Sequence, residues 1–189
     1  RTQQWVHKQR ETTLLTIESY NARKYISSRI HDVSRGYTGV PVVRSGLLFY
    51  IRHADGKEFP DLYVSEQGYT NARILIDGEV LFKLHGGILS GWSPSPDGSL
   101  VAYGVSTYGN DAISIHILST TSSQNIPDNI SSSYLPNIYA HHNIVWSSDS
   151  SGFWYSRSTY LTDIQKDRRD IRVYFHKIGH PSELDSEIF

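Results

Sequence analysis

Apolar residues in the first forty positions fall at helical spacing, whereas beyond them they alternate with polar ones. Trp5, Val6, Leu14, Leu15 and Ile17 form an imperfect apolar stripe in a stretch rich in Arg, Lys, Glu and Gln, with no proline before Pro41, which predicts a helix. Asn21 is placed to cap a second helix, in which Tyr25, Ile26, Arg29 and Ile30 recur at three- and four-residue spacing. Gly36, Gly39 and Pro41 end this regime. A boundary near residue 40 therefore separates a helical lead-in, 1–40, from a different kind of structure over 41–189.

In that second region the apolar runs are short, aromatic and β-branched. Gly46 to Arg52, Asp61 to Val64 and Ala72 to Ile76 read as strands. Ala54-Asp55-Gly56-Lys57 and Ile76-Asp77-Gly78 read as tight turns, because glycine after aspartate supplies the positive φ such turns favour. Antiparallel meanders follow.

A register emerges when the sequence is aligned with itself. Gly46, Gly98 and Gly152 recur at intervals of 52 and 54, and Tyr50, Tyr103 and Tyr155 at 53 and 52. Ser95-Pro96-Asp97-Gly98 precedes the second copy and Ser147 to Gly152 the third, with Asp97 and Asp149 again 52 apart. A polar turn feeding a strand of the Val-Ala-Tyr type every ~50 residues is the pattern of a four-stranded propeller blade, whose two apolar faces are buried only by stacking on neighbours. The fold class is therefore mainly β, a partial β-propeller of about three four-stranded antiparallel blades over 41–189, each of roughly 52 residues, preceded by a short helical segment. Three blades cannot close a circle, since propellers need about four or more. Together with a chain that begins at Arg1 and contains no methionine, this leads us to expect a piece of a longer protein whose open blade faces self-associate.

Composition narrows the chemistry. Lys plus Arg number 18 and Asp plus Glu 19, for a formal charge of −1. No positive excess exists to neutralise phosphates, so neither nucleic acid nor an anionic membrane is an expected partner. The longest apolar stretches fall far below the ~20 residues of a membrane helix, and no signal-like segment opens the chain, so a cytoplasmic location is expected. Zero cysteines exclude disulfides, thiolate nucleophiles and cysteine-ligated metals. Asn129-Ile130-Ser131 has the form of a glycosylation triplet, which matters only in a secreted protein.

No Gly-x-Ser-x-Gly nucleophile elbow is present. Its nearest approach, Gly87-Ile88-Leu89-Ser90-Gly91, has the wrong spacing and reads as a flexible turn between strands. His141-His142 and His176-x-x-x-His180 are candidate metal ligands by residue type. Adjacent strand residues point to opposite faces, and Gly179 interrupts the second pair, so these histidines read as packing or surface residues. Gly86-Gly87 lacks the Lys-Ser or Lys-Thr ending of a phosphate loop. The mixed charges from Asp163 to Arg172 read as a solvated loop, and the 13 tyrosines as filling between blades. No metal or other cofactor is expected.

In this order and at these spacings the motifs resemble one family, the N-terminal region of prolyl oligopeptidase-type serine peptidases. Trp5-Val6 stands where that family has a Trp-Val pair in its helical lead-in, and Gly39 to Tyr50 is similar to its first blade. Ala72 to Asp77, Ser95 to Ser106, Gly152 to Arg157 and Val173 to Gly179 follow in the family's order. The chain departs from it at Gly109-Asn110-Asp111-Ala112, where Gly-Ser-Asp-Trp is common, and at Asp77-Gly78-Glu79, where Pro-Asn usually follows Leu-Asp. The resemblance implies a seven-bladed propeller covering an α/β-hydrolase domain and admitting only short peptides, cleaved after proline in the best-known members. That domain, with its Ser, Asp and His, would lie downstream of Phe189, so no catalytic or substrate-binding residue is assigned in this chain. The implied partners are short peptides and the hydrolase domain of the same protein. Endopeptidase and peptide-transferring activity both stay open. A non-catalytic propeller that scaffolds other proteins is the rival reading, since fold alone does not decide function. A sugar-binding β-domain rests only on aromatic content.

Overall fold

The computed structural model describes residues 2–33, 36–107, 112–134, 144–158 and 171–189. The chain divides into two compact units, Arg1–Tyr37 with Ala54–Gly56, and Thr38–His53 with Lys57–Phe189.

The first unit is helical: α1 spans Thr2–Ser19 and α2 spans Asn21–Val33. Asn21 is the first residue of α2 rather than the flanking cap that its residue type suggested. Arg23 N donates to Tyr20 O at 3.0 Å, so the chain has already turned one residue earlier. Trp5, Leu15, Tyr25 and Ile30 are all exposed.

Three sheets, all but Tyr37 of them in the second unit, make up the rest. The first has five strands, β1 (Tyr37–Thr38), β2 (Val42–Arg44), β3 (Leu47–His53), β4 (Asp61–Ser65) and β5 (Arg73–Ile76), in the order β1-β3-β4-β5 with β2 also on β3. The helix α3 (Gly78–His85) leads to the second sheet, β6 (Gly87–Pro94), β7 (Leu100–Thr107), β8 (Ala112–Ser119) and β9 (Asn125–Tyr134). The third consists of β10 (Val145–Trp146), β11 (Gly152–Ser158), β12 (Ile171–Lys177) and β13 (Ser186–Glu187). The second and third are antiparallel meanders, as are β2 to β5 of the first.

Period-two alternation explains the stacking. On β7, Val101, Tyr103 and Val105 face the first sheet and join Phe49, Leu62 and Val64 in one core, which Trp92 completes. Ala102, between them, faces the third sheet and joins Ile115, Ile117 and Ile130 with Trp146, Phe153 and Tyr155 in another. The middle sheet is thus buried on both faces, and each fully buried side chain such as Phe49 or Phe153 contributes roughly 1.5–3 kcal/mol. This is the partial propeller that the repeat implies, with no sheet closing on another to form a ring among the described residues.

Two local expectations are overturned. Asp77-Gly78 is not a tight turn. Asp77 Oδ1 accepts from Glu79 N and Val80 N at 3.0 Å each and caps α3, while Gly86, at φ 62°, ends it. Gly78 is needed for a close approach and not for a positive φ: a Cβ there would overlap Pro60 O and stand 2.8 Å from Phe59 Cβ. Gly87 to Gly91 is not a loop between strands either. It is the first half of β6, and its pairing with β7 shifts register between Leu89 and Gly91, which is a bulge at Ser90.

Candidate functional site

Polar groups gather at three places in the second unit, the first of them built by the strand-turn repeat. At the first, Asp97 sits in the turn before β7. Its Oδ1 accepts from Ser95 Oγ at 2.5 Å and Ser99 N at 3.1 Å, and its Oδ2 from Ser99 Oγ at 2.8 Å. Burial works to raise the Asp97 pKa, but the hydrogen bonds from Ser95 and Ser99 outweigh it and hold the carboxyl down to about 2. Asp149 repeats the arrangement one sheet on, with Ser147 and Ser151 holding it down to about 2. The two turns touch: Asp97 N donates to Ser150 Oγ at 3.3 Å, and Trp146 Nε1 donates to Ser93 O at 2.9 Å.

The second place surrounds α3. Lys57 Nζ reaches Asp61 at 2.7 Å and Asp77 at 3.2 Å, and Asp61, almost fully buried, also accepts from Gly78 N at 3.0 Å. The Lys57 pKa is raised, chiefly by its hydrogen bond to Asp61, and that of Asp77 is lowered, chiefly by Val80 N. Beside the helix a shallow depression is lined by Leu75, Leu81, Leu84, His85, Tyr103 and Asn125. Tyr103 donates to Asn125 Oδ1 at 2.9 Å, and its hydroxyl pKa is raised by burial. His116 stacks on Tyr103 with centroids 5.4 Å apart and lies 3.0 Å from Ser114 Oγ. Burial first, and His85 second, lower its pKa and favour the neutral ring.

The third place joins the second and third sheets. His176, fully buried on β12, holds Asp185 Oδ1 at 2.9 Å through Nδ1, and its Nε2 lies 3.6 Å from Asp128 Oδ2 on β9. Tyr155 donates to Asp185 Oδ2 at 2.7 Å, and burial raises its pKa, with Asp185 adding to the effect. Gly179 N donates to Asp128 Oδ2 at 2.5 Å.

His176 is a buried packing residue and His180 is exposed. His141-His142 lies outside the described residues, as do 163–170 of the charged run. Arg172, at the end of that run, is part of β12 and pairs with Glu187 at 2.7 Å, so this end is strand and not loop. Asn129 lies in β9. Ser90 Oγ, in the serine-glycine segment, is buried without a hydrogen-bond partner. Among the described residues no group of three His or acidic side chains is arranged to hold a metal, and no helix is long and apolar enough to cross a membrane. Asp128 and Asp185 were not singled out from sequence, because nothing local marks either as a partner of His176. The signal for α3 was present in Val80, Leu81 and Leu84 at helical spacing before Gly86.

Comparison with known proteins adds the frame. The family model for the N-terminal β-propeller domain of prolyl oligopeptidase matches residues 1–189. The prolyl oligopeptidase ophP of Omphalotus olearius is 35% identical over 106 residues, covering 51% of this chain and 14% of the relative. A structure from a study of two prolyl endopeptidases superposes with a TM-score of 0.85 at 21% identity, covering 98% of this chain and 27% of that one. Prolyl oligopeptidase B from Galerina marginata, bound to a 35mer hydrolysis and macrocyclization substrate, gives 0.81 at 20% identity over 100% of this chain and 29% of that one. The chain therefore spans less than a third of each of these relatives.

Proposed function

The chain belongs to the prolyl oligopeptidase family, as part of its N-terminal β-propeller domain, and from that premise we propose that it serves a serine oligopeptidase by gating the access of short peptides to a hydrolase domain elsewhere in the same protein. The observation that carries this reading is the family match along the whole chain together with three stacked sheets, one of five strands and two of four. Two further features support it. Trp5, Leu15, Tyr25 and Ile30 give the helical lead-in an exposed apolar surface suited to another domain. Two of the polar clusters of the second unit tie sheets together, at Asp97 with Ser150 and at Asp128 with Gly179, which suits a wall or gate. The nucleophile, base and acid of the reaction would come from the hydrolase domain.

The test begins with the coding sequence beyond Phe189. Further blades followed by Gly-x-Ser-x-Gly and a later Asp and His are expected. The full-length protein should then hydrolyse a short fluorogenic peptide containing proline and leave a folded protein substrate intact, while residues 1–189 alone turn over neither. A stop codon with no such elbow would replace this reading with a non-catalytic interaction propeller.

A further inference from the structure

A glycine that follows an aspartate leaves its amide nitrogen open to the aspartate's own carboxyl, because no Cβ shields it. The chain contains three such pairs, Asp55-Gly56, Asp77-Gly78 and Asp97-Gly98, and the fold treats them differently. Closing a five-membered imide needs a free glycine nitrogen, a carboxyl able to swing onto it, and a backbone that yields as the ring forms. At Asp77 all three are denied. Gly78 N donates to Asp61 Oδ1 at 3.0 Å, Asp77 Oδ1 accepts from the amides of Glu79 and Val80, and Oδ2 lies 3.2 Å from Lys57 Nζ. Gly78 is also buried, pressed against Phe59 and Pro60. At Asp97, Gly98 N donates to Ser95 O at 2.9 Å, and both carboxyl oxygens are taken up by Ser95 and Ser99.

The first pair has none of this protection. Asp55 and Gly56 are exposed in the turn between β3 and β4, beyond the Arg52–Asp61 pair that ends the ladder. Gly56 N has no hydrogen-bond partner among the described residues. Gly56 has φ 80°, with nothing within 4 Å of where a Cβ would stand, so the turn has room to rearrange. The carboxyl has a single tie among the described residues, from Gly36 N to Oδ1. We propose that Asp55 is a spontaneous modification site, at which the folded protein forms isoaspartate through a succinimide while Asp77 and Asp97 are spared.

The reaction needs only water. Gly56 N gives up its proton and bonds to Cγ of Asp55, and one carboxyl oxygen leaves as water. The imide then takes up a water at one of its two carbonyls. Addition at Cγ restores aspartate. Addition at the α-carbonyl leaves the main chain running through Cγ, one methylene longer, with the α-carboxylate as the new side group and no net change in mass. The carboxyl that held Gly36 N has then become part of the backbone, so the tie at the end of the helical lead-in is lost.

The full-length protein is incubated folded, at neutral pH and physiological temperature, and in parallel in concentrated urea. Trypsin releases residues 53–57 and 74–83, chymotrypsin the stretch around Asp97, and electron-transfer fragmentation distinguishes the two linkages. Isoaspartate in the folded protein should accumulate at Asp55 at least about tenfold faster than at Asp77 or Asp97, where ring closure must await local opening. In urea the three rates should converge. Hydrogen exchange at Gly36 should speed up in the aged protein, since its amide has lost its acceptor, and Asp55→Glu should remove the altered 53–57 peptide. Equal rates at the three sites in the folded protein, or an unmodified Asp55 there alongside isoaspartate in urea, would overturn the proposal.

Discussion

At the residue scale, the glycines and aspartates of the turns carry requirements of two kinds. Gly78 and Gly152 are small because neighbouring backbone leaves no room: a Cβ on Gly152 would overlap His176 O and stand 2.6 Å from the Phe175 ring. Gly78→Ala should destabilise by about 1–3 kcal/mol, the overlap outweighing the ~1 kcal/mol that alanine gains in a helix. Urea denaturation would show it as a lower midpoint with unchanged slope. Asp97 makes a different demand. Its folded pKa of about 2 lies below the ordinary 3.8, so the folded chain favours the charged carboxylate more than the unfolded chain does. The stabilisation is complete above about pH 5 and is lost progressively as pH falls toward 2. Asp97→Asn should flatten that acid limb of the stability curve. A variant that loses stability between pH 4 and pH 2 as steeply as wild type would show that the turn is not what responds.

At the scale of elements, α3 depends on Asp77 for both its cap and its hold on Lys57. Asp77→Ala should cost about 1 kcal/mol, and hydrogen exchange should speed up first at Glu79 and Val80, whose amides lose their acceptor. This helix also marks where the sequence was legible and where it was not. The strands beginning at Leu47, Leu100 and Gly152 and the turn from Ser95 to Gly98 could be read directly, and the turns before Leu100 and Gly152 close their hydrogen bonds within five residues. Asp77-Gly78 could not, because Asp-Gly suits a tight turn and a helix start alike. What decides between them is the carbonyl of Pro60, brought close only by the folded first sheet. The bulge at Ser90 and the partners of His176 were hidden for the same reason: contacts between strands or sheets create them, and no local motif does. His176 and His180 read from sequence as packing or surface residues, and His180 is at the surface while His176 is wholly enclosed.

For the whole molecule, one face of the third sheet is open. Val145, Trp154, Phe175 and Ser186 form a row across its four strands, and the Trp154 ring packs tilted at 54° against Phe175, with Val145 more than half exposed. Residues 1–189 prepared alone should therefore self-associate, with sedimentation that depends on concentration, and Trp154→Lys should shift the chain toward monomer. A single sharp monomer boundary for the unmodified chain would contradict this. The ties across the buried faces have a further consequence. Asp97 and Ser150, Ser93 and Trp146, Arg73 and Ser123, Asp128 and Gly179 are separated by 53, 53, 50 and 51 positions. Each tie closes a loop of one repeat, and loop-closure entropy changes only slowly with length, so docking each sheet carries nearly the same entropic cost. Assembly then proceeds as a linear polymerisation in which a sheet needs only its immediate neighbour. A duplication of one full repeat would add one more step of the same size and leave every existing tie intact, whereas an insertion of half a repeat would break register with both neighbours.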